Sequence, residues 1–284
     1  MTMSKDIQNG LTALRFETLP GNRLDALVST RTGGLSTGPY ASLNLGLRVA
    51  DDAPAVIENR RRFFEAYGLP LDRSVWCKQV HADGVTVVDA ATVAVRPDGR
   101  QDRGAFDEDS IITDTDALVT NRVGVPLCVT LADCVPVVLY DAEHHAVGLA
   151  HAGWGGTVAR ITSRTVDVMR ERYGTAPRAL LSAIGPSIGP DHYEVGDDVI
   201  RRARAAHCED AGQILRNRAD GKALFDLWEA NVIDLMAAGV PREHIELSRI
   251  STVDNLDMFY SHRFETRGEH KQTGRFVTVA MLRG

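Results

Sequence analysis

Residues 126–156 read PLCVTLADCVPVVLYDAEHHAVGLAHAGWGG, and this stretch decides the fold. Three apolar runs stand in it, Pro126–Leu131, Val135–Tyr140 and Ala146–Ala150. They have strand length and are largely apolar on both alternations, the pattern of strands covered on both faces. Asp141–His145, between the last two, suits a hairpin connection. The third run ends in His151–Ala152–Gly153–Trp154–Gly155–Gly156, a Gly-rich turn. The spacing then predicts a helix over about 157–173, with Val158, Ile161, Thr165, Val168 and Met169 on one side and Gly174 after it.

The same alternation of strands and helices extends outward. Asp116–Thr120 is a fourth strand-like run, and Val75–Val80 and Val85–Val88 are short strands around His81–Ala82–Asp83–Gly84. Upstream, 16–30 reads as an edge region leading into the turn Arg31–Gly34. Asp51, Asp52 and Pro54 start a helix that Gly68 stops. Its apolar stripe, Val56, Ile57, Phe63, Phe64 and Tyr67, also holds Arg60. Later come a strand at 179–184, helices at 197–207 and 223–238, and a C-terminal strand at 276–282. Residues 96–110 are polar and charged and read as a mobile surface loop; residues 1–12 read as flexible. No linker divides the chain, so the expectation is one α/β domain over 1–284.

Bulk composition narrows the function. The chain has 284 residues, 44% of them hydrophobic, and 32 basic against 38 acidic residues give a net charge of −6. The longest basic run is Arg60–Arg61–Arg62, so nucleic acid and anionic membrane are excluded as main partners. No apolar run approaches the ~20 residues a bilayer span needs, and the polar start lacks a secretory signal core. The four cysteines, Cys77, Cys128, Cys134 and Cys208, are too sparse for a disulfide scaffold. These features together predict a cytoplasmic protein with free thiols.

Cys134 and His151 fall at ends of strands that can pair, which places them near one end of one sheet. Their separation, like that of His81 upstream, is far from the tight spacing of a structural zinc finger. Donors drawn from several elements, with a fourth position open, are the pattern of a catalytic zinc ion, whose bound water has a pKa near ~7. Each residue also has a plain reading: Cys134 as a small buried hydrophobe, His81 as a turn cap, the glycines of 153–156 as steric necessities or as an anion cradle. Arg60 calls for a partner inside its apolar stripe, either an internal carboxylate or a bound phosphate. Lys78, Gln79 and Arg263 are further polar residues beside these elements.

Several motifs occur together in the order of a known family. They are Thr32–Gly33–Gly34, Ser42–Leu43–Asn44–Leu45–Gly46, Asn59–Arg60, Lys78–Gln79–Val80–His81, Asp116–Ala117–Leu118–Val119–Thr120, Ala132–Asp133–Cys134–Val135–Pro136, His151–Ala152–Gly153–Trp154, Ile184–Gly185–Pro186, Tyr193–Glu194–Val195 and Thr273–Gly274–Arg275. From about 31 to 282 the chain resembles the laccase-domain family, also called the YfiH or multicopper polyphenol oxidase family. The resemblance implies a four-layer α/β/β/α sandwich similar to the catalytic domain of cytotoxic necrotizing factor. It implies a zinc ion on His81, Cys134 and His151, with Cu²⁺ as an alternative occupant. It also implies purine nucleosides and phosphate as substrates: phosphorolysis of adenosine, inosine, guanosine and methylthioadenosine, and hydrolytic deamination of adenosine. Asn44, Arg60, Lys78, Gln79 and Arg263 are the candidate substrate or phosphate contacts, and Asp133 the candidate for proton transfer. The chain departs from the family where Gly155 stands in place of an arginine, and at Asp191–His192, Ser251–Thr252 and Ser261–Phe264. Alternatives are a copper phenol oxidase, a cysteine hydrolase built on Cys134 and His151, a peptidoglycan-editing factor, and a nucleoside sensor without turnover. The oligomeric state is left open.

Overall fold

The computed structural model describes residues 3–267 and 271–284. Its strands in chain order are β1 (Met3–Gln8), β2 (Leu11–Phe16), β3 (Leu24–Ser29), β4 (Val75–Trp76), β5 (Val85–Val87), β6 (Ala117–Thr120), β7 (Leu127–Leu131), β8 (Val135–Asp141), β9 (Ala146–Ala152), β10 (Leu181–Ile184), β11 (Glu194–Val195), β12 (Leu215–Asn217), β13 (Ala223–Phe225), β14 (Ile245–Leu247) and β15 (Phe276–Leu282). The helices are α1 (Ala53–Ala66), α2 (Trp154–Val158), α3 (Ile161–Tyr173), α4 (Asp197–Ala206), α5 (Ala211–Ile214), α6 (Leu227–Ala237) and α7 (His262–Glu265).

Two six-stranded sheets carry the fold, ordered β1-β2-β3-β15-β7-β4 and β14-β10-β8-β9-β6-β5, with a small third sheet β11-β13-β12. Both large sheets are mixed: β4 runs parallel to β7, β5 to β6 and β10 to β14, while the other neighbours are antiparallel. The alternation of the sequence explains the packing. Along β8, Val135, Val137 and Leu139 face one core and Val138 and Tyr140 another. The first core lies between the second sheet and α3, α4 and α6. The second core joins the two large sheets, with Val129, Leu131 and Phe276 from one side and Leu118, Val147 and Leu149 from the other. On the far face of the first sheet, Phe63 and Phe64 of α1 pack with Leu27, Trp76, Val277 and Val279.

The hairpin at 141–145 forms as expected and pairs Val135 with Ala152 and Pro136 with His151. Helix α1 begins after Asp52, whose carboxylate accepts from Ala55 N–H at 3.2 Å, a cap worth about 1 kcal/mol. Other expectations need correction. The segment 1–12 was read as flexible, yet Met3–Gln8 pairs with Leu11–Phe16 through Asn9–Gly10, both at positive φ. That dipeptide is the hairpin turn signal; Met1 and Thr2 lie outside the described residues. The 16–30 region is not an edge, because β3 lies between β2 and β15 and is buried along its length. The strand expected over 75–80 stops at Trp76. There Gln79 replaces a strand ladder with its side chain, accepting from Thr130 N–H at 3.0 Å and donating to Thr130 O at 2.8 Å. The helix expected over 157–173 starts earlier and breaks at Arg160, which sits at φ 59 and donates to Asp234 at 2.7 Å. The helix expected over 223–238 yields its first turn to β13; α6 begins after Asp226, whose carboxylate accepts from Glu229 N–H.

Arg60 finds backbone carbonyls where an internal carboxylate was one expectation. It is buried, its guanidinium carbon 3.6 Å from the centroid of the Trp76 ring. Nε donates to Leu45 O at 2.8 Å, and Nη1 donates to Gly104 O at 2.7 Å and Ala105 O at 2.8 Å. Burial pulls its pKa down to about 9 despite Cys128, Glu108 and Asp102 nearby. Arg60 is thus a core tie that anchors the 96–110 loop, itself laced by ion pairs of Arg96 and Arg100 to Asp107. Arg60→Met is expected to lower stability in urea unfolding by about 3 kcal/mol, because three buried carbonyls lose their donor. A KM for phosphate that rises in a fully folded Arg60→Met protein would contradict this placement.

Candidate metal centre

The chain passes from the first sheet to the second twice, and both crossings end at one point. Between β4 and β5 it runs through His81; between β7 and β8 it runs through Asp133 and Cys134. His81 and Asp133 both sit at positive φ, 60° and 87°, which turns the chain sharply at each crossing. His151 arrives from the end of β9. One donor atom from each of His81, Cys134 and His151 lies within 4.8 Å of the others. Cys134 Sγ is 3.7 Å from His81 Nε2, and the two imidazole rings meet edge to face with centroids 4.9 Å apart. Bonds of about 2.0–2.3 Å to a tetrahedral ion place neighbouring ligands about 3.5 Å apart, so the donors stand close to the separation an ion requires.

Asp116, just before β6, organises this cluster. It is fully buried. Oδ1 accepts from His81 N–H and from His151 Nδ1, both at 2.9 Å; Oδ2 accepts from Val80 N–H at 3.1 Å and Ala82 N–H at 3.0 Å. Asp116 thereby holds a proton on Nδ1, so Nε2 is the nitrogen His151 would offer to an ion, the arrangement that orients a ligating histidine. Burial alone would raise the Asp116 carboxyl; the His151 ring and the backbone donors outweigh it and hold it below the ordinary range. Burial likewise pushes the Cys134 thiol up, but His151 and His81 beside it bring it down to about 6. His151, lowered by burial and raised more strongly by Cys134 and Asp116, comes to about 9. A thiolate and two imidazoles are a donor set that suits zinc or copper, and the residues present fit such an ion.

The glycines after His151 serve sterics. A Cβ on Gly153 would stand 2.7 Å from His81 Cδ2 and 2.9 Å from Cys134 Sγ, and one on Gly155 would stand 2.4 Å from the His81 carbonyl oxygen. The turn gives the His81 crossing room to approach.

A cavity of about 290 Å³ opens beside the three donors, lined also by Arg48, Gln79, Thr130, His262 and Arg275. Of the residues singled out from sequence, Gln79 lies in its wall. Asp133 stands behind it, its carboxylate accepting from Thr252 Oγ1 and from Arg263 N–H, both at 2.6 Å. Arg263 turns away, donating to Glu194 O and lying over the Tyr193 ring. Asn44 is buried: it donates to Asp51 at 2.8 Å and accepts from Arg275 N–H at 2.8 Å. Lys78 is exposed and is not among the residues lining the cavity. Arg60, on the buried face of α1, bonds to Leu45 O away from this cavity wall. Sequence reasoning missed Asp116 as a clamp and Arg48, His262 and Arg275 as cavity wall. Asp116 and Arg275 had a signal, as the first residue of one quoted motif and the last of another, and His262 stood in the quoted segment 261–264.

A family model described as multi-copper polyphenol oxidoreductase laccase matches residues 25–283. The chain is 40% identical over 250 residues to a purine nucleoside phosphorylase, YlmD, of Geobacillus stearothermophilus, covering 88% of this chain and 87% of that protein. It is 35% identical over 252 residues to the adenosine deaminase RL5 of an unknown prokaryotic organism, covering 88% and 93%. The crystal structure of YlmD from Geobacillus stearothermophilus superposes with a TM-score of 0.90 at 36% identity, covering 100% of this chain and 99% of that one. By this match along almost its whole length, the chain belongs to the multi-copper polyphenol oxidoreductase laccase family.

Proposed function

We propose that the protein is a zinc-dependent purine nucleoside enzyme that phosphorolyses adenosine, inosine, guanosine and methylthioadenosine and hydrolytically deaminates adenosine. The observation that carries the reading is the convergence of His81, Cys134 and His151 on a cavity of about 290 Å³, with Asp116 fixing both histidine segments. The names of the relatives supply the substrate class. His81, Cys134 and His151 would hold the ion, which when bound supplies a Lewis acid and lowers the pKa of water. Asp116 keeps His151 in the ligating tautomer. In phosphorolysis a phosphate oxygen bonds to C1′ of the ribose and the C1′–N9 bond breaks. Its electron pair leaves on the purine, which takes up a proton. Asp133 accepts two hydrogen bonds and carries the turn that delivers Cys134, so its role is positioning. The three cores, with α1 outside one sheet and α3, α4 and α6 outside the other, support the α/β/β/α layering too. Free cysteines fit a cytoplasmic setting.

One specific observation favours a second reading. Cys134, His151 and Asp116 also form the order of thiol, base and orienting carboxylate that a cysteine hydrolase uses. The copper oxidase reading has less support: among the described residues one three-donor group is found. The test is metal content of protein purified without added metal, together with products from adenosine with and without phosphate. One equivalent of zinc, inosine without phosphate, and adenine with ribose 1-phosphate in its presence are expected. Zinc that leaves Cys134 open to alkylation, with neither product formed, would refute the reading and favour the hydrolase.

A further inference from the structure

The cavity beside the metal donors also carries two arginines and a histidine, the histidine kept from protonating by burial and by Arg275. Arg48, His262 and Arg275 line the same space as His81, Cys134 and His151. Arg275 lines two adjoining cavities as well, one of about 50 Å³ shared with Arg48 and one of about 200 Å³ shared with His262, Lys271 and Thr273. Arg275 therefore lines three hollows. That side chain is held in place. Its Nη1 donates to Thr273 O and Gly274 O, both at 2.9 Å. Its backbone N–H donates to Asn44 Oδ1 at 2.8 Å, and its carbonyl accepts from Leu45 N–H at 2.9 Å. A Cβ on Gly46 would stand 2.7 Å from Arg275 Cγ, so a glycine there makes room for the arginine.

The guanidinium also lacks a close counter-charge. Among the described residues no carboxylate forms an ion pair with it; Cys134 across the cavity, then Asp133 and Glu265, act on it without contact. Burial lowers its pKa, a cost that a bound anion would offset. Among the described residues Arg48 forms a loose ion pair, Nε to Glu108 at 3.8 Å, with both side chains exposed. A planar fork anchored through one nitrogen, with no ion-pair partner among the described residues and lining the cavity of the three metal donors, suits a tetrahedral oxyanion.

We propose that Arg275, assisted by Arg48, forms the phosphate subsite, and that Asn44 and Gly46 are positioning residues that set the guanidinium. This deepens the purine nucleoside reading and rests on it. It assigns to Arg275 the role that sequence suggested for Arg60. Inorganic phosphate and the 5′-phosphate of a nucleotide share this chemistry, and the experiment separates them.

Zinc-loaded wild type, Arg275→Met, Arg275→Lys and Arg48→Ala are compared with inosine and varied phosphate, and with AMP against adenosine. Loss of about 1.4 kcal/mol of binding is tenfold, and KM for phosphate is expected to rise about tenfold in Arg48→Ala and more in Arg275→Met. The rise should exceed any change in KM for inosine by at least tenfold, with metal content retained and Arg275→Lys intermediate. A preference for AMP that Arg275→Met abolishes would assign the same subsite to the ester phosphate. Phosphate KM within twofold of wild type in both Arg275→Met and Arg48→Ala, without any AMP preference, would overturn the proposal. If wild type forms no ribose 1-phosphate, the nucleoside reading loses its phosphorolysis arm. Calorimetric titration with inorganic phosphate then decides: binding lost in Arg275→Met supports the subsite, and equal binding or none in wild type overturns it.

Discussion

Cys134→Ala is expected to abolish both metal retention and turnover while leaving the fold intact. Cys134 lies in the turn between two strands, and its side chain meets the two histidines and is only partly buried where it packs at the margin of the core. Removing it leaves two neutral nitrogens, without the one donor that carries negative charge. Lewis-acid stabilisation worth several kcal/mol disappears with the ion, which at 1.36 kcal/mol per tenfold is about a thousand-fold or more in rate. Elemental analysis and an adenosine assay read the two quantities separately. Loss of activity with zinc retained would make Cys134 a nucleophile and the cysteine hydrolase reading the better one. Full zinc and full activity would remove the site altogether.

Asp116→Ala is expected to damage metal binding and stability together. Its carboxylate accepts from three successive backbone N–H groups, Val80, His81 and Ala82, and from the His151 ring. Alanine leaves the buried His151 ring and three part-buried N–H groups without their acceptor, a cost of about 2–4 kcal/mol on the scale of unsatisfied groups. With the ring and the His81 turn released, metal affinity is expected to fall about 10–100-fold. Asp116→Asn is the sharper variant. It keeps the size but turns an acceptor into a donor facing N–H groups, so it should lose affinity with less loss of stability. Chelator competition measures the first and urea unfolding the second. An Asp116→Asn protein that holds zinc as tightly as wild type would show that the carboxylate serves the fold alone.

What could be read from sequence was what neighbouring residues determine. The hairpin at 141–145 set Cys134 and His151 at one end of a sheet, and Asp52, Pro54 and Gly68 bounded α1. The Asn9–Gly10 turn was also written locally, but the polar residues around it hid the strand pair. The rest depends on partners far along the chain. Nothing near residue 116 says that its carboxylate will meet the backbone of 80–82. Nothing in the apolar stripe of α1 says that Arg60 will find three carbonyls and a tryptophan face in place of an ion. Arg48 and Arg275 share a wall because Leu45 and Asn44 pair with the residue before β15, a contact between the two ends of the sequence.

The placement of the donors at the two crossings has a consequence for how this protein tolerates change. His81 and Cys134 leave strands of one sheet and His151 leaves a strand of the other, so the spacing of the sheets fixes the spacing of the donors. Leu131, Phe276, Val147 and Leu149, which touch no substrate, set that spacing by filling the core between them. Mutational sensitivity of the candidate metal centre should therefore reach deep into the interior, and a methylene removed there can be felt at the cavity as a shift in donor geometry.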